Sequence, residues 1–329
     1  MRDYANPSVI SEAEAINRLK ALPRPWSGGY YALYTSWLDG IVREPWLMSV
    51  PIDDHAFHRG DGVFEMSKCV GGRVYQFDRH LERLAASAQA IQLALPTDLG
   101  TLKRLGVAVI KATGHPDCAL RVYITRGPGG FTTNPRECPE AGVYVIASEL
   151  HTPSPQAFAS GVRIGVSSVP SKSGFYASVK SCNYLPNVLL KTESVRRGWD
   201  YAIGLDEDGN LAEGSTENVG LVDRQGRLLL PPPDHILEGT TARRAKELAR
   251  SMVEEGLLKA VENRTLTIDD LRAASEVMLF GTTLDVLPVT RLEDQPLGDG
   301  QVGPVARELL ARMRRDLAQN PAVSTIVEF

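Results

Sequence analysis

No apolar run in the chain approaches the roughly 20 residues that a membrane-spanning helix needs, so an integral membrane role is not expected. Basic residues are not in excess. Lys and Arg number 36 against 40 Asp and Glu, a net charge of −4, which leaves no electrostatic footprint for nucleic acid. Cysteine is sparse: Cys69, Cys118, Cys138 and Cys182 are scattered, with no CxxC pair. Neither a metal site nor a disulfide framework is expected from that spacing, and a reducing cytoplasm is the simplest setting. The opening MRDYANPSVISEAEAINRLK has no basic stretch leading into an apolar one, so no secretory signal is expected. Internal repeats and low-complexity tracts are also missing.

What is present is the composition of an ordinary globular protein, 43% hydrophobic and 23% charged over 329 residues, a length that suits two modest domains. Residues 1–28 read as an irregular arm with one short helix, SEAEAINRLKAL, broken by Pro23, Arg24 and Pro25. Strand signals follow at 30–38, before an Asp39-Gly40 turn, and at 62–69. Leu81, Leu84, Ala85, Ala88 and Ile91 fall at helical spacing within 79–93. Segments 119–125 and 142–147 read as buried strands. The stretch HTPSPQAF at 151–158 is the best linker candidate, dividing a smaller domain, 1–150, from a larger one, 159–329. The second part alternates strands at 162–166, 201–205, 219–222 and 277–280 with helical faces over 185–195 and 242–257. Without regular βαβ spacing, this mixture predicts an α+β fold.

Four places carry chemistry. Lys180, in SVKSCNYLPNVLL, sits just before a helix among small and apolar residues, where an amine can be desolvated and made nucleophilic. Glu213, in LAEGSTENVGLV, lies between two strand signals, where a carboxylate can pair with a ring nitrogen. Gly239, Thr240 and Thr241 open the strongest helix, whose free N–H groups make an anion site. Gly281, Thr282 and Thr283 repeat that chemistry at a strand end, and Arg83 on a helix can add a charge-assisted contact. Each has a plainer reading: a surface lysine, a turn glutamate, a threonine N-cap, a solvated arginine.

The order and spacing of HRGDGVFE, HLERLAASA, KSCNYLPNVL, EGSTEN, ILEGTTARR and GTTLDVLPV resemble the class IV aminotransferases, which include branched-chain and D-amino-acid aminotransferases and aminodeoxychorismate lyases. The resemblance runs from about Trp37 onward. It implies the two-domain fold type IV, pyridoxal 5'-phosphate as cofactor, and a homodimer with its active site at the subunit interface. It further implies that Lys180 carries the cofactor as a Schiff base, that Glu213 bonds the pyridine nitrogen, and that Arg83, Thr240, Thr241 and Thr282 hold the phosphate. Tyr184 matches a tyrosine near the ring hydroxyl, one residue closer to the lysine than in branched-chain members.

The wording of HRGDGVFE, GPGGFTTNPRECP and KSCNYLPNVLLK is most similar to the D-amino-acid aminotransferase-like group that includes plant enzymes. A transaminase that moves an amino group from a D-amino acid to a 2-keto acid by ping-pong chemistry is the expectation. The alternatives are a branched-chain L-amino-acid aminotransferase, an aminodeoxychorismate lyase, an (R)-amine transaminase, or a protein that binds the cofactor without catalysis. Two departures bear on this. Phe64 stands where bacterial D-type enzymes have tyrosine, and Pro135-Arg136-Glu137-Cys138 lacks the histidine of their Pro-Arg-x-His carboxylate trap. Phe64, Arg121, Arg126, Arg136 and Thr283 are therefore the substrate-side candidates.

Overall fold

The computed structural model describes residues 7–329; the first six residues of the expected arm lie outside it. Its helices are α1 (Glu12–Ala21), α2 (His55–Arg59), α3 (Phe77–Ala90), α4 (Leu99–Thr113), α5 (Pro155–Ser160), α6 (Phe175–Ser178), α7 (Leu185–Arg197), α8 (Thr240–Glu254), α9 (Ile268–Ala273) and α10 (Pro304–Gln319). Local chemistry starts several of them. Ser11, Asp98 and Ser154 cap α1, α4 and α5 by accepting bonds from backbone N–H groups, and Thr267 and Asp270 form a reciprocal capping box on α9. Gly60, Gly114 and Gly198 end α2, α4 and α7 in the left-handed conformation.

The strands divide between two sheets. The first contains β1 (Tyr30–Thr35), β2 (Gly40–Val42), β3 (Gly62–Val70), β4 (Arg73–Tyr75), β5 (Cys118–Thr125) and β6 (Gly142–Ser148). The second contains β7 (Val162–Val166), β8 (Tyr201–Leu205), β9 (Leu211–Gly214), β10 (Asn218–Val222), β11 (Arg227–Leu230), β12 (Ala260–Asn263), β13 (Glu276–Gly281), β14 (Asp285–Leu292) and β15 (Gln295–Pro296). A last strand, β16 (Ser324–Ile326), returns to the first sheet and pairs with β4, giving the order β16-β4-β3-β5-β6-β1-β2. That sheet is antiparallel throughout. The second is mixed, with β7 parallel to both β8 and β14 and β11 parallel to β12.

The first sheet packs Val63, Val122 and Ile124 against Phe77 of α3 and Leu102 of α4. Gly106 in α4 lets the Phe77 ring in, since a Cβ there would stand 2.6 Å from it. The second sheet is covered on both faces. One apolar cluster joins Met278, Phe280 and Val286 to α8 and α10; another joins Ile203, Leu279 and Leu287 to Leu271 of α9. Strands buried on both faces lose the alternation of polar and apolar positions. β10 and β13 are still visible in the sequence as continuous apolar runs, whereas β14, interrupted by Pro288, and the four-residue β11 are not. Tyr75 of β4 joins the second sheet's cluster and donates to Asp316 of α10 at 2.6 Å, and Lys68 of β3 makes a buried ion pair with Asp285 of β14.

Candidate active site

The strand β3, the helix α3 and the segment 179–184 converge where the two sheets meet. Lys180 follows α6 and is fixed through its backbone. Its carbonyl accepts from Phe64 N–H at 3.0 Å, its N–H donates to Ser87 Oγ of α3 at 3.2 Å, and Cys182 N–H donates to Gly62 carbonyl at 2.8 Å. The side chain is thereby pointed without being used. Its Nζ lies 2.9 Å from the Tyr184 hydroxyl and 4.6 Å from the centre of the Phe64 ring. Burial, with Arg83 next, lowers the ammonium pKa to about 8, against the opposing pull of Glu65 and Glu213. Burial raises Tyr184 strongly.

Glu213 sits on β9, opposite Asn218 of β10, and is 9% exposed. Its Oε2 accepts from Leu237 N–H at 3.2 Å. Burial raises this carboxyl to about 7, against the attraction of Lys172 and Lys180. Lys180 and Glu213 both line a cavity of about 230 Å³. Thr240 and Thr241 enter the same cavity as the first two residues of α8, whose N-cap, Gly239, provides no side chain to the free N–H groups. Glycine is required there, because a Cβ would stand 2.1 Å from Asn218 Oδ1. Thr282 and Thr283 reach the cavity from the tight turn between β13 and β14, closed by Leu284 N–H donating to Gly281 carbonyl at 3.0 Å.

Arg83 also lines the cavity, but it is not a free arginine. Its Nε and Nη2 donate to the two oxygens of Glu65 at 2.6 and 2.9 Å, and its Nη1 donates to the Glu238 carbonyl at 2.8 Å. With five N–H donors on a guanidinium, two remain for an anion. Glu65 also bonds His80 Nδ1 at 2.6 Å, and His80 Nε2 meets Thr240 Oγ1 at 3.2 Å. Burial would raise Glu65, but Arg83 and His80 hold it down at about 2. Sequence reasoning passed over Glu65 and His80, although both lie within the quoted motifs HRGDGVFE and HLER. The signal was the i, i+3 spacing of His80 and Arg83, which puts both on one face of α3.

The substrate-side candidates separate. Phe64 lines the cavity, stacked on Tyr123 at 5.3 Å and edge-on to Tyr184 at 5.0 Å. Arg121 lines it too, donating to Ser148 Oγ at 2.9 Å, and also borders an adjoining open depression. The structure does not bring Arg126 or Arg136 to this cavity. Arg126 is committed to both Asp61 oxygens, at 3.0 and 3.1 Å, and to the carbonyls of Ile91 and Gln92. Arg136 lies exposed on the 3-10 turn 135–137. Asn187, at the start of α7, lines the cavity with its amide nitrogen on Ser215 carbonyl at 2.8 Å and its buried oxygen unpartnered; it had no signal in the sequence.

The sequence pattern of the amino-transferase class IV family matches residues 62–292. A D-amino-acid transaminase of the chloroplast from Arabidopsis thaliana is 37% identical over 322 residues, covering 96% of this chain and 84% of that protein. A putative branched-chain-amino-acid aminotransferase from Methanocaldococcus jannaschii is 29% identical over 266 residues, covering 80% and 90%. Among solved structures, the T.th. branched-chain amino acid aminotransferase with pyridoxamine 5'-phosphate superposes with a TM-score of 0.84 at 26% identity, covering 91% of this chain and 99% of that one.

Proposed function

The chain belongs to the class IV aminotransferases, and from that premise we propose that it transfers an amino group from a D-amino acid to a 2-keto acid, with Lys180 as the working amine. The family's fold type IV and its cofactor, pyridoxal 5'-phosphate, come with that membership. The observation that carries the proposal is one small cavity. It places an amine of lowered pKa, a buried carboxyl, a helix start with free N–H groups and a hydroxyl-bearing turn around the same space.

These residues fit the cofactor chemically. Thr240, Thr241, Thr282 and the two spare donors of Arg83 suit a phosphate. Glu213 suits the ring nitrogen, where its carboxylate holds a proton and ends its own costly isolation. The Tyr184 hydroxyl suits the ring's phenolic oxygen. When bound, pyridoxal 5'-phosphate supplies the carbonyl that takes up the amino group and the ring that delocalises the electron pair released at the substrate's α-carbon. With the cofactor bound, Lys180 Nζ would take the proton from the α-carbon as general base and, as general acid, hand it on to the carbon that brought in the cofactor's carbonyl, a task for which a pKa near 8 is well matched. Phe64 and Tyr184 flank the amine and limit water around it. Sequence wording alone put Arg136 first for the substrate carboxylate, then Arg126 and Arg121; because Arg121 lines the cavity and the other two do not, we assign that role to Arg121.

The D-amino-acid preference is supported by the 37% identity to a D-amino-acid transaminase over nearly the whole chain. A branched-chain L-amino-acid reading is kept because of the close backbone match to branched-chain enzymes. The reading also includes a cytoplasmic homodimer of two-domain subunits, 1–150 and 159–329 joined by 151–158, with α5 beginning inside the joining segment and β16 of the second part returning to the first sheet. The depression beside the cavity, about 980 Å³, is bordered by Trp26, Val50 and Phe57, which are 64%, 47% and 68% exposed. A second subunit on that face covers apolar surface and walls the substrate side at Arg121. No helix among the described residues is long and apolar enough to cross a membrane. The test is the first half of the reaction: cofactor-loaded protein mixed separately with D- and L-alanine, D- and L-glutamate, L-leucine and a simple primary amine, following the cofactor absorbance. Faster change with the D-isomers supports the reading; a preference for L-leucine favours the branched-chain one.

A further inference from the structure

A second lysine stands beside this site, behind Tyr184 and outside the cavity lining, with no role in the chemistry above. Lys172, in the loop between β7 and α6, is half-buried and carries its Nζ 4.8 Å from the centre of the Tyr184 ring. Among the described residues that ammonium has no ion-pair or hydrogen-bond partner; burial lowers its pKa, and the charged groups acting on it are Glu213 and Lys180. Tyr184 is the residue whose hydroxyl lies 2.9 Å from Lys180 Nζ, and its ring meets Phe64 edge-on. A desolvated cation over an aromatic face is attracted to the ring's electron-rich side. Lys172 and Lys180 therefore grip the same tyrosine, one at the ring and one at the hydroxyl.

We propose that Lys172 is a positioning residue: its ammonium packs on the Tyr184 ring and fixes the phenol against Lys180 Nζ. The proposal rests on Lys180 being the working amine. The charge has a second consequence. Lys180 faces Arg83 and His80 from α3, Glu65 from β3, Glu213 from β9 and Tyr184 from the start of α7, and Tyr184 also faces Glu217. Lys172 and Lys180 also repel each other as like charges, so a charged Lys172 disfavours a second ammonium at Lys180, and it favours ionised Glu213.

Two readouts test this, with Lys172→Gln and Lys172→Met as charge-removing variants and Lys172→Arg as the charge-keeping one. In the cofactor-loaded enzyme, the first two lower kcat at least about fivefold while KM for the amino acid stays within about twofold, and the arginine variant restores kcat. In cofactor-free protein carrying Glu213→Gln, which removes the opposing response of that carboxyl, the rate of acylation of Lys180 is followed against pH by peptide mass spectrometry. Removing the Lys172 charge moves the midpoint up by about half a pH unit, roughly threefold less free amine below it, and arginine does not. Unchanged kcat, a loss that arginine does not restore, or an unmoved midpoint overturns the proposal. Failure of the underlying reading shows separately, as wild-type protein in which the cofactor does not attach to Lys180.

Discussion

A carboxyl that is nine-tenths buried beside one backbone N–H is costly to ionise, and Glu213 shows the cost as a pKa raised from 4.5 to about 7. A folded-state value above the unfolded one means that protonation favours the fold. The contribution is complete below about pH 4.5 and is lost as pH rises through about 7. Cofactor-free Glu213→Gln should therefore be more stable than wild type at pH 8, by about 1–3 kcal/mol in urea unfolding, with the gap closing toward pH 4.5. The same variant should transaminate far more slowly. A destabilised variant at pH 8 would mean that the carboxylate is well satisfied without the cofactor. Arg121→Ala should raise KM for an amino acid at least about tenfold while sparing a simple primary amine, which has no carboxylate to lose; the ratio of kcat/KM for the two substrates checks it. Lys180, Glu213 and the threonines were legible because their order along the chain is distinctive. Arg126 and Arg136 were placed among the substrate residues because an arginine in the sequence does not reveal its partner, and Asp61, sixty-five residues away, has claimed Arg126.

Elements show why the rest of the site was harder to read. The face of α3 that carries His80 and Arg83 meets β3 at Glu65 and then the start of α8 at Thr240, three segments far apart in sequence. Amphipathic spacing located α3, yet that spacing does not say which polar residue another element will satisfy. The same limit hid β14, whose Val286 and Leu287 are spent in clusters on opposite faces of the second sheet. Glu65 is depressed to about 2, so its stabilisation is present above about pH 4.5 and is lost as pH falls through about 2. Glu65→Gln should lower stability at pH 7 by about 3–5 kcal/mol, since it leaves Arg83 buried without its counter-charge, and should flatten the acid limb of the stability curve. It should also weaken cofactor retention, because Arg83 and Thr240 both lean on this carboxylate. Chemical unfolding at pH 7 and pH 3, with cofactor titration of the apoenzyme, checks all three.

At the scale of the whole molecule, the cavity exists only while the two sheets hold their relative position, and polar groups fasten them together. Lys68 of β3 pairs with Asp285 directly after the Thr282-Thr283 turn, and Tyr75 of β4 bonds Asp316, which Arg244 of α8 also holds at 2.6 and 2.8 Å. Tyr75→Phe removes one hydrogen bond to a charged acceptor and should cost about 1.5–3 kcal/mol, read as a lower midpoint in urea with an unchanged slope. Two separate transitions would mean that the sheets unfold independently. The α+β class and the family were readable from the chain, but the return of β16 to the first sheet was not, because three residues of strand carry no pattern of their own. The central claim is that one lysine among those near the cavity takes up pyridoxal 5'-phosphate. Protein loaded with the cofactor, reduced with borohydride and digested should carry the phosphopyridoxyl label on the peptide containing Lys180. A label on Lys172 or another lysine, or no label at all, would contradict it.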